Sequence, residues 1–120
     1  MAAAVTVAGR VWRWCPVTRV EVRGDSMRPA LEPGDRLVVV RAGAVRLGDV
    51  VAFPDPRRPG RTMVKRVTAR GPGGLTVIGD NRAASTDSRT LGPVDPASVR
   101  GRAVYRYFPD SRRGRLYPRG

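Results

Sequence analysis

Residues 32–41 read EPGDRLVVVR, a turn signal followed by a run of β-branched residues. The same pattern recurs along the chain, because short Val-rich runs alternate with turns rich in Gly and Pro. Six strands are predicted, at Thr18–Val22, Leu37–Arg41, Asp49–Phe53, Met63–Thr68, Leu75–Ile78 and Ala103–Phe108. Strands at this spacing predict a mainly β fold with little helix, as a small antiparallel β-sandwich or partly closed barrel.

The chain length of 120 residues fits a single domain, predicted to span residues 1–120. Residues 1–17 form an N-terminal segment, within which Ala2–Trp14 suits a strand or a short apolar helix about equally. Residues 109–120 form a basic tail expected to be solvated and poorly ordered. The uncharged run Met1–Gly9 is far shorter than the ~20 apolar residues that span a bilayer, and it lacks the basic start of a secretory signal. These features predict a cytoplasmic protein.

The types of the charged residues narrow the possible chemistry. Of 23 basic residues, 22 are arginine and one, Lys65, is lysine. The net charge of +13 is compatible with nucleic-acid binding, but the arginines recur along the whole chain, which makes this the lesser hypothesis. The chain has no histidine and one cysteine, Cys15, which excludes Ser-His-Asp and Cys-His catalysis, a histidine-ligated metal and a Cys-rich zinc site. A catalytic site in this chain needs another base.

Two segments rich in turn-forming residues carry candidate polar chemistry. Residues 24–29, GDSMRP, follow a predicted strand and place Ser26 in a turn beside free backbone amides. Residues 79–89, GDNRAASTDSR, match neither a calcium loop nor a phosphate loop. Taken singly, the first is compatible with an ordinary turn serine and the second with a turn locked by an Asp87–Arg89 ion pair.

The third candidate segment contains the only lysine of the chain. In a strand, Lys65 points to the same face as Met63 and Val67. An ammonium beside apolar side chains is poorly solvated, which would lower the pKa of Lys65 and make its amine a usable base. The alternative is a lysine at a strand end that extends into water.

Together and in this order, the three segments resemble the type I signal peptidase family of serine proteases. The similarity covers about residues 22–103 and includes the Ser-Met-x-Pro box, the Lys-Arg-Val box and the Gly-Asp-Asn-Arg…Ser-x-Asp-Ser-Arg box. The resemblance implies the catalytic-core fold of that family and a Ser/Lys dyad, with Ser26 as the nucleophile and Lys65 as the general base.

The resemblance also implies roles for the residues around this dyad. Ser85 stands where the family has a serine that hydrogen-bonds the lysine, and Asp87 and Arg89 would form a supporting ion pair. Positions at the oxyanion site and in the substrate groove fall on three residues: Gly24, Asp25 and Met27. Some family members have a hydroxyl residue at the position of Gly24, which glycine cannot supply, so the Ser26 amide is one expected oxyanion donor and the second is open.

The chain also resembles the nickel-type superoxide dismutase maturation proteases, which are small soluble proteins with these boxes. The first functional hypothesis is therefore removal of an N-terminal propeptide from the nickel superoxide dismutase precursor. The alternatives are signal-peptidase-like processing of secretory precursors at a membrane, a self-cleaving repressor of the SOS type, and a basic nucleic-acid-binding module. The expected partner is a polypeptide with an N-terminal extension; a membrane is compatible but not required, nucleic acid is not obligatory, and no cofactor or metal is expected.

Overall fold

The computed structural model describes residues 17–41, 45–84 and 88–116. These ranges contain seven strands: β1 Val17–Glu21, β2 Arg36–Val40, β3 Val50–Asp55, β4 Arg58–Gly71, β5 Gly74–Ile78, β6 Gly101–Phe108 and β7 Gly114–Arg115. All six predicted strands are present, and the mainly β fold class is confirmed. Residues 1–16 of the predicted N-terminal segment, together with Ser85 and Asp87, lie outside the described residues.

Helical structure is scarce in the part of the chain that the structure describes. It comprises one four-residue α-helix, α1 Ser88–Leu91, and single 3-10 turns at Arg82–Ala84, Pro96–Ser98 and Asp110–Arg112. None of these helices has the length or the apolar character needed to cross a bilayer.

The strands form one antiparallel sheet in the order β1-β2-β6-β3-β4-β5. Strand β7 pairs with Tyr105 and Arg106 of β6. Between β3 and β6 only two residue pairs join, Val51 with Arg102 and Ala52 with Gly101. In the described residues β1 pairs only with β2, so the sheet is not closed. Its open edge at β1 is one wall of the candidate site described below.

Strand β3 is buried on both faces, which explains its uninterrupted apolar sequence. Val50 and Ala52 pack into one hydrophobic cluster with residues of β2 and β6, whereas Val51 and Phe53 pack into a second cluster with residues of β4 and β5. Successive strand residues point to opposite faces, so one strand supplies both cores. The two clusters fix β3 and, through it, β4.

The C-terminal segment was predicted to be a solvated tail, but as far as residue 116 it packs against the rest of the fold. Strand β7 pairs with β6, and Leu116 packs against the first hydrophobic cluster. Arg112 donates a hydrogen bond of 2.8 Å from Nη1 to Oδ1 of Asp35, which is buried. Because a buried carboxylate is costly unless it is paired with a cation, this contact favours an ordered segment.

Candidate functional site

Ser26 lies in a loop that leaves the end of β1 and returns to β2. Backbone hydrogen bonds close its base, from the amide of Val22 to the carbonyl of Asp35 and from the amide of Gly34 to the carbonyl of Val22, both at 2.8 Å. Met27 and Leu31 are buried in the first hydrophobic cluster and anchor the loop from within. The loop therefore holds Ser26 at a fixed place above the sheet.

Gly24 provides the sharp change of direction that precedes Ser26. Its φ of +76° lies in the left-handed region, where a side chain is unfavourable, although no atom would contact an added Cβ. Some signal peptidases have a hydroxyl residue at this position, and the backbone conformation explains why this chain has glycine instead.

Lys65 projects from the middle of β4 on the face predicted from strand alternation. Met63 and Val67 lie on the same face and are buried, and Lys65 itself is 5% exposed. The lysine is therefore neither at a strand end nor extended into water. Burial among apolar side chains removes hydration from an ammonium and favours the neutral amine.

The loop and the strand bring the two predicted catalytic side chains into direct contact. The Nζ atom of Lys65 donates a hydrogen bond of 2.7 Å to Oγ of Ser26, across 39 residues of sequence. This distance is within the range over which a proton passes between a nucleophile and its base. The pair is partly buried, since Ser26 keeps some exposure while Lys65 keeps almost none.

An ion pair that the sequence analysis did not assign lies on the opposite face of β4. Arg66 donates from Nε and Nη2 to the two carboxylate oxygens of Asp80, each at 2.8 Å, and from Nη1 to the carbonyl of Gly48 at 2.8 Å. Bidentate pairing of this kind fixes both side chains. Both residues belong to sequence boxes that carry the family resemblance, and this is the sequence feature that could have indicated the ion pair.

The segment after β5 supports the nucleophile loop through its backbone. The amide of Asn81 donates to the carbonyl of Ser26 at 2.8 Å, and Nδ2 of Asn81 donates to the carbonyl of Asp25 at 3.1 Å. The ion pair of Arg66 and Asp80 therefore links the strand that carries Lys65 to the segment that holds Ser26. Asn81 belongs to the Gly-Asp-Asn-Arg box, but the sequence alone predicted no role for it.

The remaining predicted residues have mixed placements. The ion pair predicted between Asp87 and Arg89 cannot be placed, because Asp87 lies outside the described ranges, as does Ser85; Arg89 donates from Nη2 to the carbonyl of Arg82 at 2.8 Å. Asp25 forms a surface ion pair of 2.9 Å with Arg28. Met27 borders the groove as predicted, but most of its side chain is buried in the core.

A groove of about 780 Å³ leads to Ser26 and Lys65 between the open edge of β1 and the first half of β4. Pairing of β4 with β5 begins only at Arg66, so within the described part of the chain residues 58–65 of β4 have a strand neighbour on one side only, β3. The two facing strand edges offer peptide groups to an extended polypeptide, which can add to them as a strand.

The amide of Ser26 is a candidate donor for a developing oxyanion. Within the described ranges this N–H has no hydrogen-bond acceptor, whereas the amides of Arg28 and Leu31 in the same loop are bonded to the carbonyls of Asp25 and Met27. Backbone amides pointed at the position where negative charge develops stabilise a tetrahedral intermediate.

Comparison with known proteins agrees with this geometry. The family model described as signal peptidase, peptidase S26, matches residues 1–73 and 71–108. The chain is 32% identical over 127 residues to mitochondrial ATP-independent inner membrane protease subunit 1a of Arabidopsis thaliana, covering 83% of this chain and 76% of that protein. It is 29% identical over 143 residues to probable signal peptidase I-1 of a Synechocystis strain, covering 79% and 73%. To mitochondrial inner membrane protease subunit 2 of Mus musculus it is 32% identical over 139 residues, covering 94% and 77%.

These relatives correct the predicted location of the protein. The prediction of a cytoplasmic protein is wrong, because similar proteins are named as mitochondrial inner membrane protease subunits. The prediction relied on the short apolar run at residues 1–9, and such a local signal does not determine where a protease meets its substrate.

Proposed function

Because the chain belongs to the S26 family of signal peptidases, whose members are peptidases, we propose that it is a serine endopeptidase with Ser26 as nucleophile and Lys65 as general base. The observation that carries this proposal is the 2.7 Å hydrogen bond between Lys65 Nζ and Ser26 Oγ, made by a lysine that is almost fully buried. A buried amine next to a hydroxyl has the position and the solvation that a base for serine requires.

The proposed reaction is acyl transfer through an ester of Ser26. Neutral Lys65 takes the hydroxyl proton as Ser26 Oγ bonds to the scissile carbonyl carbon, and the Ser26 amide donates to the resulting oxyanion. The C–N bond then breaks, and the Lys65 ammonium gives its proton to the leaving amine. Water attacks the ester, loses a proton to Lys65 and releases the new carboxylate, while Ser26 regains its hydroxyl proton from the lysine.

Two further parts of the proposal rest on the family resemblance. Ser85 would donate to or accept from the Lys65 amine and so orient it, and Asp87 with Arg89 would hold the loop that carries Ser85. The second oxyanion donor would come from a backbone amide or a bound water, because Gly24 has no hydroxyl.

For the substrate, we favour precursors with an N-terminal signal segment that are processed at a membrane. The relatives carry signal peptidase and inner membrane protease names, which supports this alternative over removal of a propeptide from nickel superoxide dismutase. No comparison supports the dismutase precursor. A basic nucleic-acid-binding role requires neither Ser26 nor Lys65 and leaves their contact unexplained.

The proposal is tested with a precursor that bears a secretory signal peptide with an A-x-A-like site, supplied in detergent micelles. We expect Ser26→Ala and Lys65→Arg each to reduce kcat by at least about 10³-fold, since arginine keeps the charge but has no neutral form at working pH. Mass spectrometry of the new N-terminus measures cleavage, and Ser111→Ala, at an exposed serine outside the groove lining, is the matched control. Wild-type turnover by Lys65→Arg would show that the lysine is only structural.

A further inference from the structure

The groove that leads to the dyad is lined by arginines on both walls. Arg19 and Arg23 lie on the β1 side, and Arg58 and Arg61 lie on the β4 side. All four are exposed. Glu21 is the single acidic residue of the described groove lining, so the walls carry a charge of about +3 when Lys65 is neutral.

The acidic residues of the chain are engaged elsewhere. Of the ten acids, nine lie in the described ranges. Apart from Glu21, each of these nine acids forms an ion pair or accepts a hydrogen bond outside the groove or at its margin. They are Asp25, Glu32, Asp35, Asp49, Asp55, Asp80, Asp95 and Asp110. Arg61 approaches Asp55 only at 4.0 Å, and that carboxylate is already bonded to Arg57. Among the described residues, Arg19, Arg23 and Arg58 have no acidic partner within 4.0 Å, so the groove presents a net positive charge to a ligand.

The strand directions place these arginines at one end of the groove. Every step in the order β1-β2-β6-β3-β4 is antiparallel, so β1 and β4 run the same way, and both run toward the dyad. Arg61 precedes Lys65 by four residues. Arg58 pairs with Asp55 across a register shift, and Asp55 lies four residues along β3 from Val51, the partner of Lys65. Both arginines therefore lie about 13 Å from Lys65 along the strand direction, which corresponds to about four residues of an extended polypeptide. A polypeptide strand in the groove would pass these side chains several residues away from its scissile bond.

We propose that this groove selects polypeptides that carry Asp or Glu about four residues from the scissile bond, with Arg58 and Arg61 as specificity-determining residues. The inference rests on the proposed protease function. Guanidinium groups match a carboxylate in a bidentate manner, and exposed pairs of this kind each change affinity by a few-fold. Two pairs acting together predict about a tenfold preference in kcat/KM, expressed mainly in KM because the contacts lie far from the reacting atoms.

The test uses three extended fluorogenic peptides with an A-x-A-like site that differ only at the positions four and five residues from it, where they carry Glu-Glu, Gln-Gln or Lys-Lys. Each set is made with the pair on the N-terminal side and again on the C-terminal side. Wild-type protein should cleave the Glu-Glu peptide of one set about tenfold more efficiently than its Lys-Lys counterpart. The double variant Arg58→Glu/Arg61→Glu should reverse that order, and 0.5 M salt should reduce the preference of both proteins.

Arg70→Glu is the control for charge reversal in β4, because it exchanges one arginine for glutamate, half the charge change of the double variant, at an exposed position outside the groove lining. It should keep the wild-type preference. Equal kcat/KM for the Glu-Glu and Lys-Lys peptides of both sets, or a preference that Arg70→Glu abolishes as strongly as the double variant, would overturn the inference.

A binding measurement separates failure of this inference from failure of the proposed function. Fluorescence anisotropy of the labelled peptides with Ser26→Ala protein reports groove affinity without any cleavage. Tighter binding of Glu-Glu than Lys-Lys peptides, with no cleavage by wild-type protein, would contradict the dyad and leave the groove selectivity standing. Cleavage of all peptides with equal affinities would leave the protease function standing and contradict the selectivity.

Discussion

The described residues bury three charged side chains, and these are held in two different ways. Asp35 and Asp55 are carboxylates that accept hydrogen bonds from arginine guanidinium groups. Lys65 is an amine that donates to the hydroxyl of Ser26. The first two contacts join opposite charges, while the third joins an amine to a nucleophile.

The difference follows from the chemistry of the partners. Arginine does not deprotonate in proteins, so a carboxylate bonded to it has a fixed charge and serves structure. A hydroxyl and an amine can exchange a proton, and burial makes the neutral amine accessible. The same fold therefore contains permanent ion pairs that fix its loops and one contact suited to proton transfer.

Breaking the Asp35 site should have the largest effect on stability. Its carboxylate accepts from Arg106 Nη1 at 3.1 Å and from Arg112 Nη1 at 2.8 Å. Asp35→Asn removes the negative charge and leaves two arginines without their counter-ion, so we expect a loss of about 3 kcal/mol in the free energy of unfolding, measured by urea denaturation. Asp110→Asn is the control, because Asp110 is 88% exposed and should change stability by less than about 0.5 kcal/mol. Equal losses in the two variants would contradict a structural role for Asp35.

Breaking the Asp55 site should have a smaller effect that depends on pH. The side chain and backbone of Arg57 donate to Asp55 and lower the pKa of its carboxyl below the ordinary value of 3.8. The folded state therefore binds this proton less readily than the unfolded state, and the stabilisation is present above pH 3.8 and is lost as pH falls through the folded pKa.

We therefore expect Asp55→Asn to be less stable than wild type near neutral pH, with a difference that shrinks as the pH falls below about 4. Urea denaturation across a pH series measures this, and Arg57 is half exposed, so the neutral-pH loss should be smaller than for Asp35→Asn. A difference between wild type and variant that is constant from pH 7 to pH 3 would contradict the ion-pair assignment.

The strands could be predicted from sequence because Val-rich runs and Gly or Pro turns are local signals. The main boundary error lies at the start of β4, which was predicted at Met63. Instead, β4 already begins at Arg58, since the amide of Arg57 donates to the Asp55 carboxylate and tightens the turn.

The site was predictable only in part, because its contacts join distant residues. Ser26 and Lys65 were singled out by their motifs, and the structure places them in contact. The bidentate pair of Arg66 and Asp80 was missed, since 22 arginines and ten acids allow many combinations and the sheet register selects among them. The groove arginines were missed for the same reason, since only the fold shows which arginines lie opposite an acid.

Removing the charge of Lys65 should have the smallest effect on stability and yet abolish cleavage. Methionine has a similar length and suits the apolar face that Lys65 shares with Met63 and Val67, and exchange of a buried charge for an apolar side chain is often neutral or stabilising. We expect the unfolding free energy of Lys65→Met to stay within about 1 kcal/mol of wild type, measured by urea denaturation beside a cleavage assay. A loss as large as that of Asp35→Asn would show that Lys65 serves the fold as the buried carboxylates do. Stable protein without activity would show that the structure tolerates the loss of this buried cation and that catalysis does not.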